Sequence, residues 1–325
     1  MNRNSEAITI FCSRLGVAND IEPLEPKEWS DLAAKLITRD LAPENLLDFE
    51  EADFIEQLNC TSEEATRYMR LIDRSGSLAF ELSKYENMGI QIITRADNEY
   101  PKQLKRKLGN ACPPLFYYAG DLELLNRPAV GYVGSRDVSP EDITFTVNTV
   151  AKTVCNGYTV VSGGAKGVDS VSASTAMSED GFVVEYLADS MLRKMRDSSL
   201  VGLIRDGRVL LMSVVVPTAG FNVGMAMMRN RYIYAQSEGT VIIRSDKGKG
   251  GTWAGATENL KRNWCPTLCR DCNYPGNKEL IRLGAIPITE TWDGQMSDMP
   301  RYTLNEVSPE PPQSIARQIS MFDLA

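Results

Sequence analysis

The chain has 325 residues and 43% hydrophobic content, which is enough for one or two domains with a hydrophobic core. Its net charge of −8 excludes a protein that coats nucleic acid with its whole surface, but it is compatible with a local basic groove. It contains no histidine, which excludes Ser–His–Asp, Cys–His and histidine–metal chemistry. There is no apolar run long enough to span a membrane and no signal-peptide pattern, and the seven cysteines lack a disulfide-scaffold spacing, so we expect a cytoplasmic protein with reduced thiols and no membrane partner.

Residues 1–88 carry a helical pattern and are predicted to form a small N-terminal helical domain. Apolar residues recur every three or four positions over residues 31–38 and 43–58, which predicts one helix in each range. Thr61, followed by acidic residues, is typical of a helix N-cap. We interpret this part as an interaction or stabilising module rather than a catalytic one.

The pattern changes at Gly89 into short apolar strands separated by helical stretches. This alternation predicts βαβ units, and therefore an α/β domain over residues 89–290 with a mainly parallel sheet and helices on both faces. The loops that follow the strands then lie along one edge of the sheet, where open α/β sheets bind ligands. The predicted strands cover residues 90–94, 115–118, 130–133, 158–162, 182–187, 209–215, 240–243 and 266–269.

Two loops that follow predicted strands have the features of phosphate sites. In the first, Gly134 allows a sharp turn, and Ser135 and Arg136 follow just before a helix. The second is rich in glycine, which exposes backbone N–H groups at a helix N-terminus, and its lysine adds positive charge. We predict that they bind a phosphate or nucleotide, with a plain strand-to-helix turn as the alternative. The candidate residues of the second loop are Ser162, Gly163, Gly164, Lys166, Gly167 and Asp169.

Two further segments add basic residues to the same predicted edge. Arg229 and Arg231, which flank Asn230, do not look like core residues and suit phosphate contacts, with surface ion pairs as the alternative. On the same helix the face formed by Val223, Ala226, Met227 and Tyr234 is predicted to be core. The fourth loop is a second glycine-rich anion site, whose tryptophan either stacks on a base or packs between helix and sheet. Its candidate residues are Lys249, Gly250, Gly251 and Thr252, with Lys247 and Trp253 beside them.

The ordered motifs resemble the DprA family, also called Smf. The match runs over residues 100–285, from Tyr-Pro-Lys-Gln-Leu at 100–104 through the loops described above to Gly-Ala at 284–285. The resemblance implies a Rossmann-like fold, a homodimer, and single-stranded DNA bound in a basic pocket. It also implies delivery of a RecA-type recombinase to that DNA.

The chain departs from the family pattern in places that indicate a divergent member. After Asp169 the family has an alanine–histidine pair, whereas this chain has a serine-rich segment at 170–174. Ser213 is followed by Val214 and not by the usual glutamate. We expect no winged-helix domain after residue 290, although many members carry one. The function implied is DNA processing, recombination or defence.

Residues 291–325 are predicted to form a flexible tail, with a proline-rich stretch at 308–312 and an apolar end. That end resembles the pentapeptide with which proteins dock on the bacterial sliding clamp. In the resemblance, Gln318 hydrogen-bonds at the pocket entrance, Ile319 covers an apolar shelf, and Met321 and Phe322 fill the pocket. The alternative is that the tail folds back onto the chain's own domain.

A nucleotide-hydrolysing enzyme is the main alternative function. Residues 250–252 resemble the loop of phosphoribohydrolases that release free cytokinin bases. Their catalytic glutamate lies three residues after the threonine, where this chain has Gly255, and Glu258 falls on another face of the helix. We therefore predict that the chain binds its ligand without hydrolysing it, and we expect no catalytic residue and no cofactor.

A zinc site is the second alternative. Cys265, Cys269 and Cys272 have a spacing that suits a metal, but three thiols without a histidine leave the coordination shell one ligand short. Buried thiols are the simpler interpretation. We therefore expect no metal ion.

Overall fold

In the computed structural model, residues 1–17 and 21–296 are described, and they are organised around one nine-stranded sheet. The strand order is β1-β2-β6-β5-β4-β3-β7-β8-β9. Neighbours from β6 to β9 pair in parallel, while β1 and β2 pair antiparallel at one edge. The strands are β1 (Gln91–Thr94), β2 (Leu115–Ala119), β3 (Ala129–Val133), β4 (Thr159–Ser162), β5 (Val183–Leu187), β6 (Val209–Ser213), β7 (Gly239–Ile242), β8 (Thr267–Arg270) and β9 (Ile286–Ile288). The prediction of a mainly parallel sheet is confirmed.

A helical module precedes the sheet, as predicted. Its helices are α1 (Arg3–Cys12), α2 (Pro26–Thr38), a 3₁₀ helix (Pro43–Asp48), α3 (Glu51–Leu58), α4 (Ser62–Asp73) and α5 (Ser75–Glu86). Thr61 caps α4: its hydroxyl accepts a bond from the Glu64 amide at 3.2 Å, and the Glu64 carboxylate accepts one from the Thr61 amide at 2.8 Å. The single helix predicted over residues 43–58 is wrong, because the backbone is extended at Phe49 and Glu50 between two short helices.

The module is joined to the sheet by buried polar bonds. Arg74 is 6% exposed, and its guanidinium donates to the Leu15 carbonyl at 2.6 Å and the Ser13 carbonyl at 2.7 Å. The Ser13 hydroxyl in turn bonds to the Tyr117 hydroxyl on β2 at 2.9 Å. One hydrophobic cluster includes both Phe11 of the module and residues of the sheet. A domain boundary at residue 88 stays a prediction.

Helices cover both faces of the sheet. Successive residues of β3 point to opposite faces: Val130 and Tyr132 enter one hydrophobic cluster, Ala129 and Val133 the other. The first cluster receives side chains from α7 and α8, the second from α6, α11, α12 and α13. These helices, with α9 and α10, are α6 (Lys102–Leu108), α7 (Pro140–Cys155), α8 (Val168–Ser178), α9 (Met191–Lys194), α10 (Ser198–Arg205), α11 (Val223–Gln236), α12 (Gly250–Arg262) and α13 (Pro275–Arg282). Short 3₁₀ helices occupy Gly109–Ala111 and Leu122–Asn126.

The order of the parallel strands reverses next to β3. From β3 the chain adds β4, β5 and β6 on one side, and then β7, β8 and β9 on the other. The loops after β3 and β7 therefore diverge and leave a crevice at the carboxyl ends of these neighbouring strands. In the described ranges there is no helix that is both long and apolar enough to cross a membrane.

Candidate functional site

A pocket of about 760 Å³ lies in this crevice. The loop after β3, the loop after β4, the start of α11 and the start of α12 all contribute to its wall. The structure thus brings the four segments singled out in the sequence to one site. The candidate residues that line it are Gly134, Ser135, Arg136, Lys166, Asp169, Arg229, Asn230, Lys249, Gly250, Gly251 and Thr252.

Five candidate residues do not line the pocket but support its wall. Ser162 ends β4, and its hydroxyl donates to the Asp169 carbonyl at 3.2 Å. Gly163 packs against the side chains of Arg229 and Asp169, and Gly164 against those of Leu187, Lys194 and Glu185. Gly167 has a φ of +79°, and a Cβ there would lie 2.3 Å from the Ser135 carbonyl oxygen, so this close approach of two loops requires glycine.

Arg231 is the fifth of these residues, and its side chain is an ion-pair partner. Its Nε lies 2.9 Å from the Glu258 carboxylate on α12. Asn230, one residue earlier, faces the pocket and donates to the Gly251 carbonyl at 3.1 Å. For Arg231 the structure therefore shows the alternative named above, an ion pair in place of a phosphate contact. The same pair removes Glu258 from the pocket, so no observation favours the hydrolase alternative.

Three exposed cations at the pocket have no acidic partner among the described residues. They are Arg136, Lys166 and Lys249, each on a different loop. Lys247, by contrast, lies outside the lining and pairs with Glu279 at 3.3 Å. The three free cations form a basic wall, and because none of them is within ion-pair distance of a described carboxylate, their charges are available to phosphates.

Arg229 lies at the floor of the pocket, and our prediction that it is not a core residue was wrong. Its side chain is 6% exposed, and its Nη1 lies 3.1 Å from the Asp169 carboxylate, which is itself 9% exposed. Burial lowers the pKa of the Arg229 guanidinium and raises the pKa of Asp169, and each charge opposes the shift of the other. The guanidinium packs on Gly163, where a Cβ would lie 0.7 Å from Nη1. Arg229 therefore holds the loop after β4 in place.

The start of α11, with Phe221 just before it, adds an apolar wall to the pocket beside Arg136. Val223 is 65% exposed and Met227 45%, so the prediction that both belong to the core was wrong. Tyr234, further along the helix, is buried as predicted. Phe221 is 49% exposed, and the Arg136 guanidinium lies 4.6 Å from its ring centroid. The pocket thus has one basic and one apolar wall.

Two buried polar groups at the pocket have no hydrogen-bond partner within the described ranges. They are the Ser245 hydroxyl and the Nε of Arg229. The backbone amide of Ser245 is satisfied, since it donates to the Asn277 side chain at 2.8 Å. Polar groups left unpaired at a pocket are suited to a polar ligand.

The loop directly after β7 was not among the segments predicted to form the site. Arg244, Ser245 and Asp246 all line the pocket. The signal was available, because they follow a predicted strand at the same sheet edge as the other loops. Arg244 pairs with the buried Asp142 at 3.5 Å and lies over the Tyr274 ring at 4.6 Å.

The three C-terminal cysteines have separate surroundings. The Cys265 thiol lies 3.4 Å from the Thr240 hydroxyl, and the Cys269 thiol donates to the Asn277 carbonyl at 3.7 Å. Burial raises the pKa of Cys269 to about 12, which disfavours the thiolate that a metal would need. Among residues 1–17 and 21–296 there is no cluster of three potential ligands for a metal ion.

The fold and the site define a Rossmann-like protein with a pocket at the switch point of its sheet, lined by basic and apolar side chains. The chain matches the family model of DNA recombination-mediator protein A over residues 91–298, and it belongs to that family. The DNA processing protein DprA of Bacillus subtilis is 28% identical over 221 residues, which are 65% of this chain and 72% of that protein. The Streptococcus pneumoniae DprA is 30% identical over 125 residues, 38% of this chain and 41% of that protein.

Solved structures share the fold. The crystal structure of DNA processing protein A from Streptococcus pneumoniae superposes with a TM-score of 0.61 at 19% identity, over 82% of this chain and 95% of that one. The protein from Helicobacter pylori gives a TM-score of 0.50 at 24% identity, over 61% and 90% of the two chains. The prediction of a Rossmann-like DprA-type fold is confirmed.

Proposed function

We propose that this chain binds single-stranded DNA in the switch-point pocket and acts in DNA processing in the bacterial cytoplasm. The observation that carries the proposal is the division of the pocket into a wall of three unpaired cations and an apolar wall. The Helicobacter pylori relative, whose structure describes a single-stranded DNA binding mode, supports the same ligand.

The chemistry of the two walls suits an unpaired nucleotide. Phosphates meet Arg136, Lys166 and Lys249, and they also reach the N-terminus of α12, which begins without a side-chain cap. The apolar wall, with Phe221 at its rim, offers a surface on which a base can stack. A base inside a duplex is already stacked and paired, so it cannot use this wall. The pocket therefore favours single strands.

A mobility-shift panel tests this function. Single-stranded DNA, duplex DNA and RNA of equal length are titrated with the protein at several salt concentrations. We expect the tightest binding for single-stranded DNA, with affinity that falls as salt rises because phosphate contacts release counterions. Equal affinity for the duplex, or binding that does not depend on salt, would contradict the proposal.

A homodimer and the delivery of a RecA-type recombinase also belong to this proposal, and both rest on membership of the family. Light scattering at micromolar concentration distinguishes a dimer from a monomer. A monomer there would remove the dimer from the proposal.

We also propose that the C-terminal tail tethers the chain to the sliding clamp. The residues concerned, Gln318, Ile319, Met321 and Phe322, lie outside the described residues. Burial of each large apolar side chain on a partner contributes roughly 1.5–3 kcal/mol before the cost of ordering the tail. Deletion of residues 316–325 is expected to abolish capture by purified clamp while leaving the melting temperature and DNA binding unchanged.

The alternative makes the opposite prediction for the same deletion. If the tail packs on the chain's own domain, its removal lowers the melting temperature, and the intact protein shows no binding to immobilised clamp in surface plasmon resonance. Replacement of Met321 and Phe322 by alanine, with Gln313 replaced as the matched control, separates side-chain docking from an effect of tail length.

A further inference from the structure

A second group of basic side chains lies at the far edge of the sheet from the pocket. It occupies the last turns of α6 and α12. Helices that connect parallel strands run antiparallel to them, so the end of α12 lies at the amino end of the strand that follows it. We call this group the distal basic surface; it consists of Lys105, Arg106, Lys107, Lys261 and Arg262.

Hydrogen bonds tie each helix end to the start of a strand. The Lys107 ammonium donates to the Ser237 carbonyl at 2.8 Å, two residues before β7 begins. Asn259 on α12 donates to the Cys265 carbonyl at 2.8 Å, two residues before β8. Burial raises the pKa of the Cys265 thiol, and the nearby Lys107 charge opposes that shift. Both ends therefore lie at the amino ends of the neighbouring strands β7 and β8.

The distal basic surface carries more positive charge than the negative groups near it can offset. Apart from Lys107 its side chains are exposed, and none of the five has an ion-pair partner among the described residues. The C-terminal ends of α6, α11 and α12 each carry about half a negative charge. Glu238 is the acidic neighbour that acts on Lys107. These negative charges together offset about half of the five cations, and the remaining excess is exposed to solvent.

The composition of the surface suits a phosphate backbone better than a protein. No large hydrophobic side chain is exposed on α6, α12 or the loop at 263–265, whereas protein interfaces have an apolar centre. No acidic residue occurs between positions 100 and 120. Cations that are neither paired nor mixed with apolar groups are typical of contacts that follow phosphates.

We propose that the distal basic surface binds the phosphates of the same DNA strand after it leaves the pocket. This inference rests on the proposed function. The two sites lie at opposite ends of α12, whose 13 residues span about 20 Å. A stacked strand covers that length with about six nucleotides at 3.4 Å each. A short oligonucleotide then reaches the pocket alone, while a long one also reaches the distal basic surface.

The test compares thymidine oligonucleotides of about 4 nucleotides, too short to span the two sites, and about 24 nucleotides on two matched variants of the full chain. The first variant removes four distal cations: Lys105→Gln, Arg106→Gln, Lys261→Gln and Arg262→Gln. The control removes four exposed cations elsewhere and has the same net charge: Lys27→Gln, Arg39→Gln, Arg196→Gln and Arg205→Gln. Melting temperatures verify that both variants are folded.

We expect the distal variant to bind the short oligonucleotide like the control, but to bind the long one about 10–100-fold more weakly at about 0.1 M salt, with a smaller salt slope. A longer strand offers more positions at which the protein can bind, and comparison with the control variant corrects for this statistical gain in affinity. If the distal variant and the control bind the long strand equally, the inference is overturned. If the parent protein binds neither strand, the proposed function itself fails.

Discussion

Arg229→Ala is expected to destabilise the protein by about 3–5 kcal/mol, because it leaves the buried Asp169 carboxylate without its partner. Urea unfolding of parent and variant measures the change. The substitution also removes the side chain that packs on Gly163, so the loop after β4 loses its support. Loss of DNA binding in this variant would therefore reflect the pocket's shape as well as a lost phosphate contact. An unchanged free energy of unfolding would contradict the buried pair.

The same variant should show a stability that depends on pH. Burial already raises the pKa of Asp169 and the Arg229 charge opposes this, so without the arginine the folded-state pKa rises further. A carboxyl group with a raised folded-state pKa binds protons more tightly when folded. The loss of stability is therefore small below the unfolded-state pKa and grows as pH rises through the folded-state pKa. The double variant Asp169→Asn/Arg229→Ala should lack this dependence.

The triple variant Arg136→Ala/Lys166→Ala/Lys249→Ala is expected to bind single-stranded DNA about 100-fold more weakly at about 0.1 M salt. Each neutralised phosphate contributes about 0.7 to the slope of log affinity against log salt, so the slope should fall by about 2. These three exposed side chains have no partners among the described residues, and their removal leaves the core intact. Fluorescence anisotropy titrations over a range of salt concentrations measure both quantities.

A charge-matched control separates a local pocket from a general effect of net charge. The variant Lys27→Ala/Arg39→Ala/Arg205→Ala also removes three exposed cations, but from α2, its C-terminal cap and α10. It should bind DNA nearly as the parent does. If both triple variants lose the same affinity, the pocket is not the binding site. If neither loses any, the DNA binds elsewhere.

Local patterns in the sequence were enough to predict the fold class. In β3–β8 both faces are buried, so these strands read as apolar runs, and the glycine-rich turns after them mark the sheet edge where ligands bind. The N-cap at Thr61 was predicted because capping depends on residues three positions apart. The short strand β9 was missed, since it has only three residues and contains a proline.

Only the tertiary structure decided which basic residues are free. Residue type alone does not distinguish the four predicted phosphate ligands Arg136, Lys166, Arg229 and Arg231. In the structure, however, Arg229 is buried against Asp169 and Arg231 is paired with Glu258. These partners lie 60 and 27 positions away in the chain, so no local pattern could reveal them. Likewise, the helical period of α11 could not show that the apolar side chains of its first turns remain exposed. The sequence determined which loops lie at the ligand-binding edge of the sheet, because in βαβ units every loop that follows a parallel strand leaves from the same edge. The pairing and burial of the side chains in these loops depend on contacts between distant segments, which exist only after the chain has folded.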